Sequence, residues 1–203
     1  MTIWFATGNE HKRRELAAIL SGHSVKIPSD AGIAFDPDEI GGAFLENAFI
    51  KAHALFELVR EPVIADDSGL CVDVLGGKPG VYSARYGASG AAGGKLTSSE
   101  RNALLLKEIG YASGIAACRT ARFVCAMALV LSKDRFFAVQ ETLEGEIINE
   151  ERGARGTGGF GYDPIFLLPE QGRTVAELSE QEKNSISHRA KSARAIGKML
   201  ETL

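Results

Sequence analysis

The sequence predicts an α/β fold built on a mixed β-sheet. Apolar runs of strand length alternate with segments whose apolar residues recur at helical spacing. Two apolar runs, Thr120 to Leu131 and Arg135 to Leu143, are separated by only three polar residues, which is typical of a hairpin. With 203 residues, of which 45% are hydrophobic, the chain can bury one substantial core. We therefore expect a single domain over residues 1–203, with strands, alternating helices and one hairpin in a mixed sheet.

The first half of the chain alternates strands with helices. In the segment from Ala43 to Val59, apolar residues form one stripe, which indicates an amphipathic helix that ends before Pro62. The predicted elements are strands at Thr2 to Thr7, Ser24 to Ile27 and Val63 to Ala65, helices at Glu10 to Leu20 and Ala43 to Val59, an acidic loop at Asp30 to Gly42, and extended chain at Gly69 to Leu75.

The second half adds two helices and two glycine-rich loops to the predicted hairpin. Thr97 and Glu100 have the spacing of a capping box, which predicts a helix start there. The other predicted elements are a mobile loop around Gly87 to Lys95, a glycine-dense loop at Arg152 to Asp163, and a last helix from about Ser187 to Leu203 with Ala190, Ala193, Ile196 and Leu200 facing inward.

Composition excludes several classes of partner. The formal charge of -3 and pI near 5.9 provide no overall basic field, so we expect no nucleic-acid partner. The longest apolar run, Phe123 to Leu131, is far shorter than the roughly 20 residues of a membrane helix, and the N-terminus lacks a secretory apolar region. Cys71, Cys118 and Cys125 lack a CxxC pair and are interpreted as buried thiols, so the sequence predicts a cytoplasmic protein without membrane contact.

The segment that follows the first strand is the first candidate site. Thr7-Gly8-Asn9-Glu10-His11-Lys12 combines a glycine turn with cationic residues in the first turn of a helix. Positive charge opposes the helix dipole there, whereas a phosphate would accept the free N-H groups and offset that charge. The segment therefore predicts either a phosphate site or a solvated basic patch.

Adjacent carboxylates form the second candidate site. Asp66-Asp67-Ser68-Gly69 follows the predicted strand Val63 to Ala65, and α/β proteins place ligands at the carboxyl ends of strands. Two carboxylates side by side repel each other unless a divalent cation or a raised pKa relieves them. Asp38 and Glu39 in the acidic loop offer further oxygen ligands of the kind that Mg²⁺ prefers, while the alternative for each segment is a solvated turn or loop.

Two later segments complete the candidate residues. Gly156 to Pro164 formally contains GxGxxG, but no apolar strand precedes it and Pro164 stands where the helix of a dinucleotide motif would begin. What remains is a flexible backbone that carries Phe160 and Tyr162, on whose rings a purine could stack unless they belong to the core. Lys183, His188 and Arg189 again place positive charge at the start of a helix.

Taken together and in this order, TGNEHK, IADDSGL, LGGKPGVYSARYG, GTGGFGYDPIF and EKNSISHR resemble the inosine triphosphate pyrophosphatase family from Ile3 to Arg189. The resemblance implies a long mixed sheet flanked by helices in two lobes around a central active-site cleft, and a homodimer. It also implies Mg²⁺-dependent hydrolysis of dITP, ITP and XTP to the monophosphate and pyrophosphate.

Site residues follow from the same resemblance. Asp67 would be catalytic, and the metal would be held by Asp67 with Asp38 or Glu39, where the family has a Glu and this chain has two adjacent carboxylates. From the residues alone, Asp66 and Asp67 remain interchangeable as the group that accepts the proton of the attacking water. The resemblance assigns substrate binding to Thr7, Gly8, Asn9, Glu10, His11, Lys12, Ser68, Phe160, Gly161, Tyr162, Asp163, Lys183, His188 and Arg189.

Two other functions remain as alternatives. One is a pyrophosphatase of related fold that acts on pyrimidine or modified nucleotides, and the other is a nucleotide sensor without catalytic activity. The adjacent Asp66 and Asp67 argue against the sensor, because binding alone needs no carboxylate that activates water.

Overall fold

A computed structural model describes residues 1–88, 96–113, 118–149, 154–156 and 158–203. The predicted loop around Gly87 to Lys95 lies mostly outside these residues, as does part of the loop predicted at Arg152 to Asp163. The α-helices of the described part are α1 (Glu10–Ile19), α2 (Phe44–Val59), α3 (Ser98–Ser113), α4 (Glu180–Ile186) and α5 (His188–Leu200).

Seven strands form one mixed sheet in the order β2-β1-β3-β4-β5-β6-β7, which confirms the predicted fold class. β1 pairs in parallel with β2 and β3, whereas β6 pairs antiparallel with β5 and β7. The strands are β1 (Thr2–Phe5), β2 (Ser24–Lys26), β3 (Val63–Val72), β4 (Thr120–Ser132), β5 (Arg135–Ile147), β6 (Phe166–Leu168) and β7 (Arg173–Thr174).

The chain divides into two compact units, neither of which is continuous in sequence. The first unit comprises Met1–Ser68, Val124–Thr142 and Ile186–Leu203, and the second comprises Gly69–Phe123 and Leu143–Ser185. Three strands, β3, β4 and β5, contribute residues to both units. No helix in the described part of the chain is long and apolar enough to cross a membrane.

Core packing in the first unit follows the alternation of side chains along its strands. Successive strand residues point to opposite faces of a sheet. One cluster contains Ile3, Phe5 and Ile64 with the apolar sides of α1 and α5, and a second contains Trp4, Ala6 and Ala65 with that of α2. The inward residues predicted for the last helix are all buried: Ala190, Ala193, Ile196 and Leu200.

The second unit contains α3 and the short strands that sequence patterns did not reveal. Thr97 Oγ1 accepts a hydrogen bond from Glu100 N, and the Glu100 carboxylate accepts one from Thr97 N, which confirms the capping box. β6 and β7 span three and two residues, too short to show an alternating pattern. The rings of Phe123 and Phe166 pack with their centroids 4.4 Å apart.

Two sequence predictions are wrong in detail, and one helix was not predicted. β3 does not end at Ala65 but continues to Val72, so both aspartates lie within a strand. The hydrophobic pattern did not reveal this, because Asp66 and Asp67 are buried with polar partners and not with apolar side chains. α4 is a separate helix before the predicted last one, because the chain leaves helical geometry at Ser187, which caps α5. Only Cys125 is buried, whereas Cys71 is half-buried and Cys118 is exposed beside Thr120, since it precedes the core part of β4.

Substitution by alanine at two glycines of the second unit should change the stability of the protein in opposite directions. A Cβ at Gly145 would lie 2.5 Å from Leu167 O and closer still to the Phe166 ring, whereas a Cβ at Gly110 in α3 meets nothing within 4 Å. We expect Gly145→Ala to lower the free energy of unfolding by about 1–3 kcal/mol through overpacking. Gly110→Ala should raise it by roughly 0.5–1 kcal/mol through reduced backbone entropy of the unfolded chain. Urea unfolding followed by circular dichroism checks both, and a fully stable Gly145→Ala protein would contradict the packing described.

Candidate active site

The adjacent carboxylates of Asp66 and Asp67 point to opposite faces of the sheet. Asp66 continues the face of Ile64, which packs with α1 and α5, and Asp67 continues the face of Val63 and Ala65, which pack against α2. The two residues are 1% and 7% exposed. Each carboxylate therefore has a separate set of partners, all within the first unit.

Asp66 is the centre of a buried ion cluster. Its Oδ1 lies 2.9 Å from Lys12 Nζ of α1, and its Oδ2 accepts a hydrogen bond of 3.2 Å from Arg189 Nε of α5. Arg189 also donates to Glu15 Oε2 at 2.7 Å and to Ser68 Oγ at 2.9 Å. One carboxylate thus orients the lysine and the arginine that sequence motifs had singled out.

Asp67 lies beside two polar residues of α2. Its Oδ2 accepts a hydrogen bond of 3.0 Å from Asn47 Nδ2, and its Oδ1 lies 3.8 Å from Lys51 Nζ. Lys51 Nζ in turn donates to Glu39 Oε1 at 2.6 Å, which brings Glu39 to the same ammonium group as Asp67. Two carboxylates therefore converge on one buried cation.

The environments shift the two aspartate pKa values in opposite directions. Burial opposes ionisation of Asp66, but the charges of Lys12, Arg189 and Lys51 together hold its pKa well below the ordinary value. Burial raises the pKa of Asp67, and Lys51 and Asn47 only partly offset that effect. Asp66 is therefore ionised at neutral pH, and of the two carboxylates Asp67 is the one whose pKa is raised.

Around the start of α1, which is largely exposed, some of the backbone N-H groups already donate hydrogen bonds. The Asn9 side chain accepts hydrogen bonds from His11 N at 2.9 Å and Lys12 N at 3.2 Å, and Thr7 Oγ1 accepts one from Asn9 N. The prediction that these helix N-H groups are free is wrong for residues 11 and 12, because Asn9 is an N-cap. Glu10 pairs with Arg13, and a Cβ at Gly8 would meet nothing within 4 Å.

Lys183 does not lie at the same helix start as His188 and Arg189. His188 and Arg189 are the first two residues of α5, both buried, and the Ser187 hydroxyl accepts a hydrogen bond from Ala190 N. Lys183 belongs to the last turn of α4 in the second unit, so its predicted position at a helix start is wrong. A cation in the last turn complements the helix dipole instead of opposing it.

A second group of predicted residues lies in the second unit. Asp163 Oδ2 accepts hydrogen bonds from Phe160 N and from Lys183 Nζ, both at 2.8 Å, and Lys183 Nζ lies 4.5 Å from the centre of the Phe160 ring. The Phe160 ring is 44% exposed, whereas Tyr162 is 5% exposed and donates from its hydroxyl to Ser83 O at 2.9 Å. Burial raises the pKa of Tyr162 to about 12. An accessible ring face is therefore offered by Phe160 and not by Tyr162.

The structure distinguishes the two carboxylates of the acidic loop. Glu39 is half-buried and shares Lys51 with Asp67, while Asp38 is exposed. In the described ranges, no group of three or more His, Cys, Asp or Glu side chains that could hold a metal ion occurs. Mg²⁺ is commonly held by one or two carboxylates together with phosphate oxygens, and Asp67 with Glu39 fits that donor set.

Sequence reasoning missed Asn47 and Lys51. Both lie on the buried stripe of α2, at 0% and 8% exposure, among Phe44, Ala48 and Ala52. A lysine on an apolar stripe is unusual unless it has a partner. That departure from the amphipathic pattern is the signal that points to them.

The fold and the first unit define an α/β protein with paired carboxylate and ammonium groups suited to phosphate ligands. A sequence model described as the Ham1 family matches residues 3–199, so this chain belongs to the Ham1 family. A dITP/XTP pyrophosphatase of Treponema denticola is 47% identical over 99% of both chains. A protein of the same description from Bacillus subtilis is 42% identical over 97% of this chain and 95% of its own.

Solved structures agree with this assignment. The Staphylococcus aureus Ham1 protein has a TM-score of 0.85 at 35% identity, covering 100% of this chain and 99% of that one. A HAM1 protein from Coxiella burnetii has a TM-score of 0.88 at 35% identity, with both chains fully covered.

Removal of the Asp66 charge should destabilise the protein. In Asp66→Asn, Lys12 and Arg189 lose a buried counter-charge, and we expect the free energy of unfolding at pH 7 to fall by about 3–5 kcal/mol. Because the pKa of Asp66 is lowered on folding, its contribution is complete above the unfolded value near 3.9 and is lost as the pH falls further.

Urea unfolding at several pH values measures this effect. Glu57→Gln removes an exposed pair with Arg60 in the same unit and is the matched control, with an expected change within about 0.5 kcal/mol. Equal stability of Asp66→Asn and the control would contradict a structural role for this carboxylate.

Proposed function

We propose that this protein hydrolyses dITP, ITP and XTP to the nucleoside monophosphate and pyrophosphate, and so removes non-standard purine nucleotides from the pool. Membership of the Ham1 family supports the proposal, as does the 47% identity to a relative named dITP/XTP pyrophosphatase over 99% of both chains. The observation that carries the chemistry is geometric: Asp66 pairs with Lys12 and Arg189 on one face of β3, and Asp67 meets Glu39 at Lys51 on the other.

Asp67 is the proposed catalytic base. A base must be deprotonated at the working pH yet basic enough to accept a proton from water, and a raised pKa brings a carboxylate towards that balance. Asp66 does not suit this role, because its lowered pKa makes it a poor proton acceptor. Asp66 instead keeps Lys12 in place, and the Lys12 ammonium has further hydrogens that can be directed at a phosphate.

The start of α1 is the proposed place of the phosphate tail. Thr7, Gly8 and Asn9 form the turn before α1, and Glu10 and His11 begin the helix, where the positive end of the α1 dipole favours an anion. His188, Arg189 and Ser68 add polar groups in the same unit. Positioning and charge would supply most of the catalytic effect, as electrostatic stabilisation does in phosphate chemistry.

Mg²⁺ is the proposed cofactor, held by Asp67 and Glu39. When bound, it would neutralise phosphate charge that otherwise repels the attacking water. Lys51 already holds both carboxylates in one place, and the charges of Asp66, Asp67 and Glu39 raise the Lys51 pKa against the opposing effect of burial. Lys51 therefore stays cationic and keeps Glu39 near Asp67.

Phe160 and Lys183 are proposed to bind the base. The Phe160 ring offers a face for stacking, and Asp163 fixes both Phe160 N and Lys183 Nζ. Gly161 and the buried Tyr162 support the backbone of this segment. Donors that meet the 6-oxo group of hypoxanthine or xanthine would be left unpaired by the 6-amino group of adenine, a mismatch that can discriminate by ~10⁴.

Homodimerisation and a cytoplasmic location complete the proposal. Both rest on the family resemblance. The relatives named for dITP and XTP favour purine substrates over the pyrimidine alternative, and the base-like environment of Asp67 favours an enzyme over a sensor.

Asp67→Asn should abolish most of the turnover while leaving the fold intact. We expect the rate of ITP hydrolysis to fall at least ~10²-fold, because Asn cannot accept a proton. The assay measures IMP and pyrophosphate from ITP, XTP, dTTP and UTP, with and without Mg²⁺. Release of phosphate and IDP, or full activity of the variant, would overturn the proposed chemistry.

Glu39→Gln and Asp38→Asn form a matched pair that tests the metal site. Both remove one charge from the same loop, but only Glu39 shares a cation with Asp67. We expect Glu39→Gln to raise the Mg²⁺ concentration for half-maximal activity by about 10-fold, and Asp38→Asn to change it less than about 2-fold. A larger effect of Asp38→Asn would assign the ligand to Asp38 instead.

A further inference from the structure

A cavity within the second unit is lined by the segment Gly158 to Gly161, Phe160 included, and by the start of α3. Its volume is about 540 Å³, and its walls are the first turns of α3 and the glycines of the segment. Gly159 and Gly161 have backbone φ values of 71° and 64°, which residues other than glycine rarely adopt. Gly158 and Gly159 lie close to Ala176 and Asp163, whereas a Cβ at Gly161 would meet nothing within 4 Å, so close packing does not hold Gly161 in place.

Hydrogen bonds hold this segment instead. Gly158 N donates to Ala176 O at 3.1 Å, and Phe160 N donates to Asp163 Oδ2 at 2.8 Å. On the cavity side, Asn102 Nδ2 of α3 donates to Gly161 O at 3.1 Å. Gly161 follows Phe160 directly, so this bond fixes the peptide next to the ring that is proposed to bind the base.

Asn102 is a polar residue at a buried position, which is unusual unless its side chain makes a specific interaction. It is 8% exposed, and its Oδ1 is buried without a hydrogen-bond partner among the described residues. A buried amide oxygen without a partner costs about 1–3 kcal/mol. Apolar residues of similar size would fill the site without that cost, so its contribution must come from the bond that its amide nitrogen donates.

We propose that Asn102 is a positioning residue for recognition of the base. It holds Gly161 against the cavity and so sets the place and angle of the Phe160 ring; this inference rests on the proposed function of that ring. Asn102 reaches the segment from α3, whose start is secured by the capping box of Thr97 and Glu100. It takes no part in proton transfer, so its loss should affect substrate affinity more than the chemical step.

Three variants test the proposal. Asn102→Ala removes the donor, Asn102→Asp keeps the shape but cannot donate when ionised, and Ser99→Ala changes an exposed residue of the same cavity wall. We expect both Asn102 variants to raise KM for ITP by about 10-fold with kcat within about twofold, because an oriented bond is lost away from the reacting atoms. Ser99→Ala should match the unaltered protein in both parameters.

The pH dependence separates positioning from a general loss of structure. Burial raises the pKa of an introduced Asp, and its protonated form can again donate to Gly161 O. The KM of Asn102→Asp should therefore approach that of the unaltered protein as the pH is lowered, whereas the KM of Asn102→Ala should stay elevated relative to it. Circular dichroism of each variant establishes that it is folded.

The outcomes are distinct from those of the proposed function. If the unaltered protein releases pyrophosphate from ITP but the Asn102 variants have unchanged KM, or lose kcat alone, the role of Asn102 is refuted and the function stands. Loss of the folded state in both variants would likewise make Asn102 a folding residue only. If the unaltered protein releases nothing from ITP, the proposed function fails. The affinity of the same variants for ITP is then measured by calorimetry, and an unchanged affinity of the Asn102 variants would refute the role of Asn102 as well.

Discussion

The first unit depends on one geometric fact, which is that adjacent residues of a β-strand point to opposite faces. Asp66 and Asp67 lie within β3, so their carboxylates do not share one site but enter two. Asp66 meets Lys12 and Arg189, while Asp67 meets Asn47 and Lys51. The repulsion expected of neighbouring carboxylates is relieved by this separation and by a cation on each face.

Opposite pKa shifts follow from that separation. Asp66 is surrounded by positive charge, so it stays ionised and orients the groups proposed to bind phosphate. Asp67 is buried with weaker compensation, so its pKa is raised. The two carboxylates are thus adjacent in sequence, but their environments differ, and this difference is why the proposed base is Asp67 and not Asp66.

In the second unit, hydrogen bonds orient the segment that is proposed to bind the base. This candidate base-binding segment is rich in glycine; it donates hydrogen bonds to Asp163 and Ala176 and accepts one from Asn102 at Gly161, where a Cβ would meet nothing within 4 Å. A hydrogen bond fixes direction as well as distance, so one buried amide can orient the neighbouring aromatic ring. The residues proposed to bind the base and those proposed to act on the phosphates are therefore separate sets.

The sequence by itself determined the fold class and most helices, because hydrophobic periodicity is a local property. Its motifs also singled out Lys12, the Asp66-Asp67 pair, Phe160, Lys183 and Arg189 as candidate site residues. It could not separate Asp66 from Asp67 or Asp38 from Glu39, nor did it single out Asn47, Lys51 and Asn102. Those distinctions depend on partners 12 to 123 positions away in the chain, as for Lys51 with Glu39 and Arg189 with Asp66. Only tertiary structure decided them, because burial and charge act through space and not along the sequence.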